Sequence, residues 1–278
     1  TLNQELSKNV LKSKADVLVV GVNEGRNLNP IADKIDSATN GSIKKLIKRG
    51  EFEAKVGQTA YIATNEGTKA DRIFLIGTGK SNTALNNEDM DKISSSITSA
   101  LSSKKSATGL VVLPSMKFSS KEHNDSSLLQ KFGTAVESKS YTYDAKLNKK
   151  NKSINYLKRV TIYIDSKEST TKLRKGLKTG QVIGQGMNVA KDLANLPGNV
   201  CTPSYLATSS RSAANKYKKL SCRVYGEKEM KKMGMDCLLS VGNGSAQESK
   251  LISMNYQGGK KGDKPYAIVG KGITFDTG

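Results

Sequence analysis

Apolar and polar residues alternate along the first part of the chain in a pattern that predicts strands and helices in turn. Apolar runs rich in β-branched residues are typical of buried strands, and they cover residues 15–22, 57–64, 71–77, 109–113 and 159–165. Helical spacing of apolar residues follows Pro30 and is interrupted at Gly41. The same spacing recurs over residues 87–101 and 128–138. This order of elements predicts an α/β unit with a mostly parallel sheet.

A second α/β region follows a long helical pattern over residues 169–196, which Pro197 and Gly198 end. Thr202 and Pro203 fit the cap and the first position of a further helix. Strands are predicted at residues 221–225 and 250–256, a short helix at 227–233, and a last strand at 265–269. We therefore expect a domain over residues 1–168, a linking helix over 169–196, and a second domain from 197 to 278.

Charge is the most unusual feature of the composition. The 278 residues include 45 Lys and Arg against 25 Asp and Glu, which gives a formal net charge of +20. Such an excess can attract nucleic acid through counterion release, so DNA binding by the basic first domain is an alternative function. The competing interpretation is a lysine-rich surface that keeps the protein soluble. The tract at residues 149–152, with Lys158 and Arg159, fits either a phosphate contact or a solvated loop.

Cysteine usage and hydropathy indicate a cytoplasmic protein without a membrane partner. Cys201, Cys222 and Cys237 are odd in number and lack CxxC spacing, so we expect reduced thiols that are buried or half-buried. No apolar run approaches the roughly 20 residues of a membrane span. No signal segment opens the chain.

The last ten residues, 269–278, carry the strongest candidate chemistry. Gly270 and Gly272 follow the predicted last strand and allow a sharp turn beside a bound group. Asp276 at a strand end can bind a divalent metal. Lys271 can join it if a nearby cation and burial lower its pKa. From spacing alone, a glycine-rich turn with one surface lysine and one surface aspartate is the favoured interpretation.

The sequence of residues 269–278, Val-Gly-Lys-Gly-Ile-Thr-Phe-Asp-Thr-Gly, closely resembles the metal-binding motif of the leucine aminopeptidase, or cytosol aminopeptidase, family. Residues 190–203 resemble the segment in which the family's catalytic domain begins. Residues 234–249 also resemble the family, although Asn243 stands where a bulkier glutamine is expected. Weaker likenesses at residues 20–22, 49–53, 57–59 and 76–80 extend to the first domain, which the resemblance identifies as macro-like α/β.

The resemblance implies a two-metal exopeptidase that releases leucine and other N-terminal amino acids from peptide substrates. The metals would be Mn²⁺ or Zn²⁺, with Lys271 binding one ion and Asp276 bridging both. The family's remaining ligands and its catalytic lysine and arginine lie downstream of this motif, so none of the catalytic residues is expected here. The chain therefore looks cut through its active site and is predicted to be inactive alone. The resemblance also implies a homo-hexamer.

Other motifs fit less well. Residues 77–81 resemble the second half of a P-loop, but Phe74 occupies the position of the first glycine of that motif. Gly184 and Gly186 lie inside the long predicted helix, and Val189 replaces the third glycine of a dinucleotide fingerprint. A serine or cysteine nucleophile would have to use His123, the one histidine of the sequence, which lies in a polar run without a nucleophile elbow.

Overall fold

A computed structural model of the chain describes residues 2–3, 10–25, 27–63, 67–102, 106–143, 157–260 and 262–275. The chain divides into two compact units, residues 1–189 and 190–278. The loop predicted at residues 146–155 and the candidate ligand Asp276 lie outside the described residues. Within the described ranges, no helix combines the length and the apolar character that crossing a membrane requires.

The first unit alternates strands and helices as the hydrophobic pattern predicts. Its elements are β1 (Leu2–Asn3), β2 (Val17–Glu24), α1 (Pro30–Ala38), α2 (Ser42–Lys48), β3 (Thr59–Ile62), β4 (Ile73–Lys80), α3 (Asn87–Leu101), β5 (Thr108–Leu113), α4 (Asp125–Lys139), β6 (Arg159–Ile164) and most of α5 (Thr170–Asn195). The predicted break at Gly41 is confirmed, because Gly41 takes a φ of +73° between α1 and α2. The predicted boundaries of α3 are confirmed at both ends.

One six-stranded sheet forms the centre of this unit. Its strand order is β1-β6-β5-β2-β4-β3. Every pairing is parallel except that of β3 with β4, which is antiparallel. The predicted α/β class with a mostly parallel sheet is confirmed.

Both faces of the sheet are covered, which explains why its strands read as continuous apolar runs. Along β2, Val17 and Val19 belong to one buried cluster, with apolar residues of α3, α4 and the start of α5. Leu18 and Val20 belong to a second cluster, with Ile35 and other apolar residues of α1 and α2. Alternate side chains of a strand point to opposite faces, so one uninterrupted run supplies two cores.

Capping residues set the helix starts, and one of them corrects the prediction. The Asn29 side chain accepts a hydrogen bond from Ala32 N at 3.0 Å, where Pro30 opens α1. Helix α4 begins at Asp125, three residues before the predicted start. There Asn124 and Ser127 exchange side-chain-to-backbone hydrogen bonds in a capping box. The cap extends the helix beyond the apolar stripe from which its start was predicted.

Helices α4 and α5 approach closely along a row of glycines on α5. A Cβ atom at Gly180 would lie 1.9 Å from the backbone oxygen of Gln130 on α4. Gly176 and Gly184 have similarly close neighbours on the same side of the helix. Gly186, two residues after Gly184 and therefore on a different side of the helix, has no atom within 4 Å of its Cβ position. The first three glycines are therefore packing positions, whereas Gly186 faces open space.

The second unit consists of smaller elements around a two-stranded sheet. They are the end of α5, α6 (Pro203–Lys216), β7 (Leu220–Tyr225), α7 (Glu227–Lys232), α8 (Asp236–Gly242) and β8 (Leu251–Tyr256). Strands β7 and β8 pair antiparallel, with Leu220 opposite Tyr256, and α6 packs against β7. Only Cys201, Ala207 and Met230 are buried apolar residues among those described in this unit. Its apolar surface is therefore largely uncovered.

Candidate functional site

The segment that carries the candidate metal ligands has no regular secondary structure. Within residues 262–275 no strand or helix forms, and the Tyr266, Ile268 and Val269 side chains are 101%, 96% and 95% exposed. The prediction of a strand at residues 265–269 is therefore wrong. A strand needs a neighbour for its backbone N–H and C=O groups, and in the described part of this unit only β7 and β8 pair with each other. The apolar run is present, but no strand among the described residues lies beside it.

Lys271 lies in this exposed segment, and its side chain is exposed. Among the residues that the structure describes, no three His, Cys, Asp or Glu side chains are grouped so that they could hold a metal ion. A tight transition-metal site needs at least three protein ligands in fixed geometry. The described residues alone therefore do not fit a two-metal centre.

The end of the motif nevertheless packs against the turn that precedes α6. A Cβ atom at Gly198 would lie 2.9 Å from the Thr274 backbone oxygen and 3.0 Å from the Phe275 ring. Only a residue without a side chain allows this approach. A Cβ atom at Gly272 would lie 4.0 Å from Leu206 on α6. The structure thus brings together parts of two stretches that the sequence singles out separately, Gly198 of the first and residues 274–275 of the second.

Hydrogen bonds hold the turn beneath the motif. The backbone N–H groups of Val200 and Cys201 both donate to the Pro197 carbonyl, at 2.8 and 2.9 Å. The Thr202 hydroxyl accepts from Tyr205 N at 3.2 Å, so the predicted cap of α6 is confirmed. Cys201 is buried beside the cap. The turn is therefore a fixed base against which the end of the motif rests.

The family-like stretch at residues 234–249 is tied to the start of α7 by two carboxylates. Ser249 N donates to Glu227 Oε1 at 2.8 Å, and Glu227 N donates to Glu248 Oε1 at 3.1 Å. A hydrogen bond from Lys250, followed by the Glu227 N–H, holds the pKa of Glu248 below its usual range. These hydrogen bonds give Glu227 and Glu248 a structural role.

A buried carboxyl group lies in the first unit, at the start of α4. Asp125 Oδ2 accepts a hydrogen bond from the Ser166 hydroxyl at 2.6 Å, whereas Oδ1 has no partner in the described part of the chain. Burial raises the pKa of Asp125 to about 6 against the opposing effect of the Ser166 hydrogen bond. The nearby charges of Glu168 and Asp165 contribute to this raised pKa. No local motif in the sequence marks Asp125 as a buried carboxyl group.

Gly77 of the half P-loop and Gly184 of the incomplete dinucleotide fingerprint have structural roles. Gly77 lies inside β4, and a Cβ atom there would lie 2.0 Å from the Lys55 backbone oxygen. Gly184 faces the Glu137 side chain on α4. His123 is half-buried in a polar turn, with its Nδ1 atom 3.2 Å from the Ser119 hydroxyl oxygen. Neither glycine forms part of a phosphate-binding loop.

All three cysteines are free, as expected. Cys201 is buried and Cys222 is half-buried, but Cys237 is exposed, so the expectation of a buried or half-buried thiol is wrong for Cys237. That residue lies on α8, a short helix without a buried residue. The tract at residues 149–152 lies outside the described residues, and Lys158 and Arg159 are exposed at the start of β6.

Sequence models of one family match both parts of the chain. The model described as "Cytosol aminopeptidase family, N-terminal domain" matches residues 19–150. The model described as "Cytosol aminopeptidase family, catalytic domain" matches residues 188–278. The second match contains both Lys271 and Asp276.

A curated relative agrees with the family matches. The "Cytosol aminopeptidase" of Pseudomonas aeruginosa is 35% identical over 266 residues, which are 95% of this chain and 52% of that protein. The chain thus spans about half the length of the curated relatives it matches. The names of the relatives give no support to the DNA-binding alternative.

Solved structures share the fold. A mutant of tomato leucine aminopeptidase superposes with a TM-score of 0.79 at 21% sequence identity, covering 99% of this chain and 54% of that one. A bottromycin maturation enzyme solved in complex with Mn superposes with a TM-score of 0.60 at 18% identity, covering 86% of this chain and 45% of that one. The macro-like first domain and the start of a metallopeptidase catalytic domain, expected from the sequence, are confirmed as the fold class.

Proposed function

The chain belongs to the cytosol aminopeptidase family, and from this premise we propose that the protein encoded by its gene, called the gene product below, releases N-terminal amino acids, leucine among them, from peptides. The observation that carries the proposal is the catalytic-domain match over residues 188–278, which ends on the metal-binding motif. The 35% identity to a cytosol aminopeptidase along nearly the whole chain supports it.

The proposal assigns two metal ligands to this chain. Lys271 would bind one ion through a neutral amine, and Asp276 would bridge two ions, as the motif's resemblance to the family implies. A divalent pair of Mn²⁺ or Zn²⁺ supplies Lewis-acid activation when bound. The complex of a structural neighbour with Mn is consistent with a divalent ion. Two ligands are too few for a tight site, so the proposal requires further ligands besides Lys271 and Asp276.

Assembly, location and domain division belong to the same proposal. The family resemblance implies a homo-hexamer, which light scattering of the gene product would test. The relatives are named for the cytosol, and we propose a cytoplasmic location for this protein as well. We retain the division into residues 1–168, a linking helix over 169–196 and a peptidase portion over 197–278.

A comparison of two leucine substrates tests the activity. Purified gene product is assayed with leucine anilide after metal removal, and again after Mn²⁺ or Zn²⁺ is restored. The matched control substrate is the N-acetylated anilide, which has the same scissile bond but no free amino group. We expect hydrolysis of the free-amine substrate only, and only with metal.

Two outcomes would contradict the proposal. Equal hydrolysis of the acetylated and free substrates would show that the N-terminal amino group is not recognised. Full activity in a chelator would show that the reaction does not depend on a divalent ion.

A further inference from the structure

Three hydrogen bonds tie the first turn of α4 to the segment that joins β6 and α5. The Ser126 N–H donates to Glu168 Oε2 at 2.7 Å, and the Ser126 hydroxyl donates to the Lys172 carbonyl at 2.9 Å. The Ser166 hydroxyl donates to Asp125 Oδ2 at 2.6 Å. We call these three hydrogen bonds the α4 latch. The latch holds the start of α4 against the start of α5, a helix whose last residues belong to the second unit.

The latch supplies what the first turn of α4 lacks by itself. The first N–H groups of a helix have no acceptor within that helix, and Glu168 provides one for Ser126. A carboxylate is also favoured at the positive end of a helix. A Cβ atom at Gly176 of α5 would lie 2.2 Å from the Ser126 carbonyl oxygen, so the two helices approach closely at this point. Opening of the latch would therefore loosen the start of α4 from α5.

Asp125 gives the latch a group that changes charge. The residue is 7% exposed, and its Oδ1 atom is buried without a hydrogen-bond partner in the described part of the chain. Burial of a charged oxygen without a donor is costly, and a proton on the carboxyl group removes the charge. The Ser166 hydroxyl can donate to the ionised group or accept from the protonated one. The closed latch therefore fits the protonated form of Asp125 better than the ionised form.

The surroundings of Asp125 favour the protonated form on balance. Burial raises the pKa of Asp125, and the negative charges of Glu168 and Asp165 raise it as well. The Ser166 hydrogen bond and the positive charge of Lys172 lower it. Lys172 forms an ion pair with Glu168. The resulting pKa of about 6 lies between the ordinary value for a carboxyl group and neutrality.

Other ionisable groups around the start of α4 have contacts of their own or are exposed. Asp91 of α3 forms an ion pair with Lys131 of α4 at 2.6 Å. His123, in the turn before α4, has its Nδ1 atom 3.2 Å from the Ser119 hydroxyl oxygen. The remaining charged residues of the two adjoining loops are exposed, and they are Lys117, Lys121, Glu122 and Lys167.

We propose that the α4 latch is a pH-operated device, which is closed while Asp125 carries a proton and is released as Asp125 ionises. Ionisation places a charge on the buried Oδ1 atom, and opening of the first turn of α4 gives that atom access to water. Opening also breaks both hydrogen bonds of Ser126. The device lies within the first unit and does not rest on the proposed peptidase function.

The direction of the effect follows from the two pKa values of Asp125. Its pKa is about 6 in the closed latch and returns toward the ordinary 3.8 when opening exposes it. The closed latch binds the proton more tightly, so it is most stable below about pH 4 and loses stability as pH rises through about 6. The equilibrium constant for opening should therefore rise about tenfold between pH 5 and pH 7.

Hydrogen exchange of the 278-residue chain, followed for each amide by NMR, tests the proposal. After correction for the pH dependence of intrinsic exchange, the protection of the Ser126 N–H should fall about tenfold from pH 5 to pH 7. Low urea concentrations should hardly change this protection, because opening of one turn exposes little surface. The protection of core amides such as that of Val19 in β2 should fall steeply with urea, because they exchange through unfolding of the whole unit.

Three variants assign the response to Asp125. Asp125→Asn cannot ionise, so it should have the same protection at pH 5 and pH 7. Ser166→Ala removes the hydroxyl that stabilises the ionised form, so the fall in protection should exceed that of the wild type. His123→Gln is the matched control and should keep the tenfold fall, since histidine side chains generally titrate in this pH range and His123 is not part of the latch.

Three results would overturn the proposal. Equal protection of Ser126 at pH 5 and pH 7 in the wild type would show that the latch does not respond to pH. A tenfold fall that persists in Asp125→Asn, or disappears in His123→Gln, would assign the response to another group. A urea dependence as steep as that of β2 would show that the turn opens only with the whole unit. Should Asp125→Asn not fold by circular dichroism, an unchanged or smaller fall in Ser166→Ala would equally overturn the proposal.

Discussion

Two glycines on the same helix should respond in opposite ways to a single added methyl group. Gly180 packs against α4, and its Cβ position lies 1.9 Å from Gln130 O. That is about 1.5 Å closer than ordinary van der Waals contact, and the neighbour is backbone, which cannot rotate away. Gly186, on the same helix, faces open space.

The magnitudes follow from two competing effects. Alanine is favoured over glycine inside a helix by about 1 kcal/mol. Gly186→Ala should therefore stabilise the first unit by about 0.5–1 kcal/mol. Gly180→Ala gains the same preference but must separate α4 from α5, and overpacking of this kind costs about 1–3 kcal/mol or more. The neighbour is backbone at 1.9 Å, so we expect a cost toward the upper end of this range and a net destabilisation of the first unit. Because the helix preference is common to both variants, they should differ by the overpacking cost itself, about 1–3 kcal/mol or more.

Urea denaturation followed by far-ultraviolet circular dichroism measures the difference. Hydrogen exchange of α4 and α5 amides assigns it to this pair of helices rather than to the second unit. The expected result is faster exchange in Gly180→Ala and slower exchange in Gly186→Ala. If Gly180→Ala were as stable as Gly186→Ala, the close approach of the two helices would be refuted.

Three further predictions concern ionisable groups. Because the folded-state pKa of Asp125 is about 6, above the ordinary 3.8, its carboxylate destabilises the fold as pH rises through that range, by up to about 3 kcal/mol. Asp125→Asn should remove this pH dependence, and parallel urea-stability curves for variant and wild type between about pH 4 and pH 7.5 would contradict it. Asp36 is buried and accepts from Ile43 N and Lys44 N at 2.8 and 3.0 Å, so Asp36→Ala should cost about 2–4 kcal/mol in thermal or urea unfolding. Asp33→Ala removes only an exposed ion pair with Lys44 and should match wild type; equal losses in the two variants would refute the capping role. Residues 1–278 alone should bind Mn²⁺ weakly in calorimetric titration and hydrolyse leucine anilide no faster than buffer, and metal-dependent turnover would reveal ligands elsewhere in the chain.

The first unit could be predicted well from sequence because its signals are local. Buried strands such as β2 are apolar along their whole length, and caps such as Asn29 and Asn124 stand directly before their helices. The start of α4 was missed because its first residues are polar, so the cap rather than the apolar pattern sets it. Where cap and hydrophobic pattern disagree, the cap gives the boundary.

The strand predicted at residues 265–269 does not form in the structure, because strand formation depends on pairing and not on the local sequence alone. Residues 265–269 have the right pattern, but pairing depends on a neighbour elsewhere in the chain. Groups that meet at the carboxyl ends of the strands of the first unit were missed for a related reason. Asn23 near the end of β2 and Asp165 after β6 are far apart in sequence, and only the order of strands in the sheet brings both to one crevice. The contact of Gly198 with the motif likewise depends on tertiary structure.

Metal content of the gene product tests the assignment of Lys271 and Asp276 most directly. Elemental analysis after equilibration with Mn²⁺ should find two ions per chain in the wild type. Asp276→Asn should lose both ions, because it would bridge them, and Lys271→Met should lose one. Lys264→Met, an exposed lysine in the same segment, should keep both. Two ions per chain in Asp276→Asn and in Lys271→Met would contradict the account.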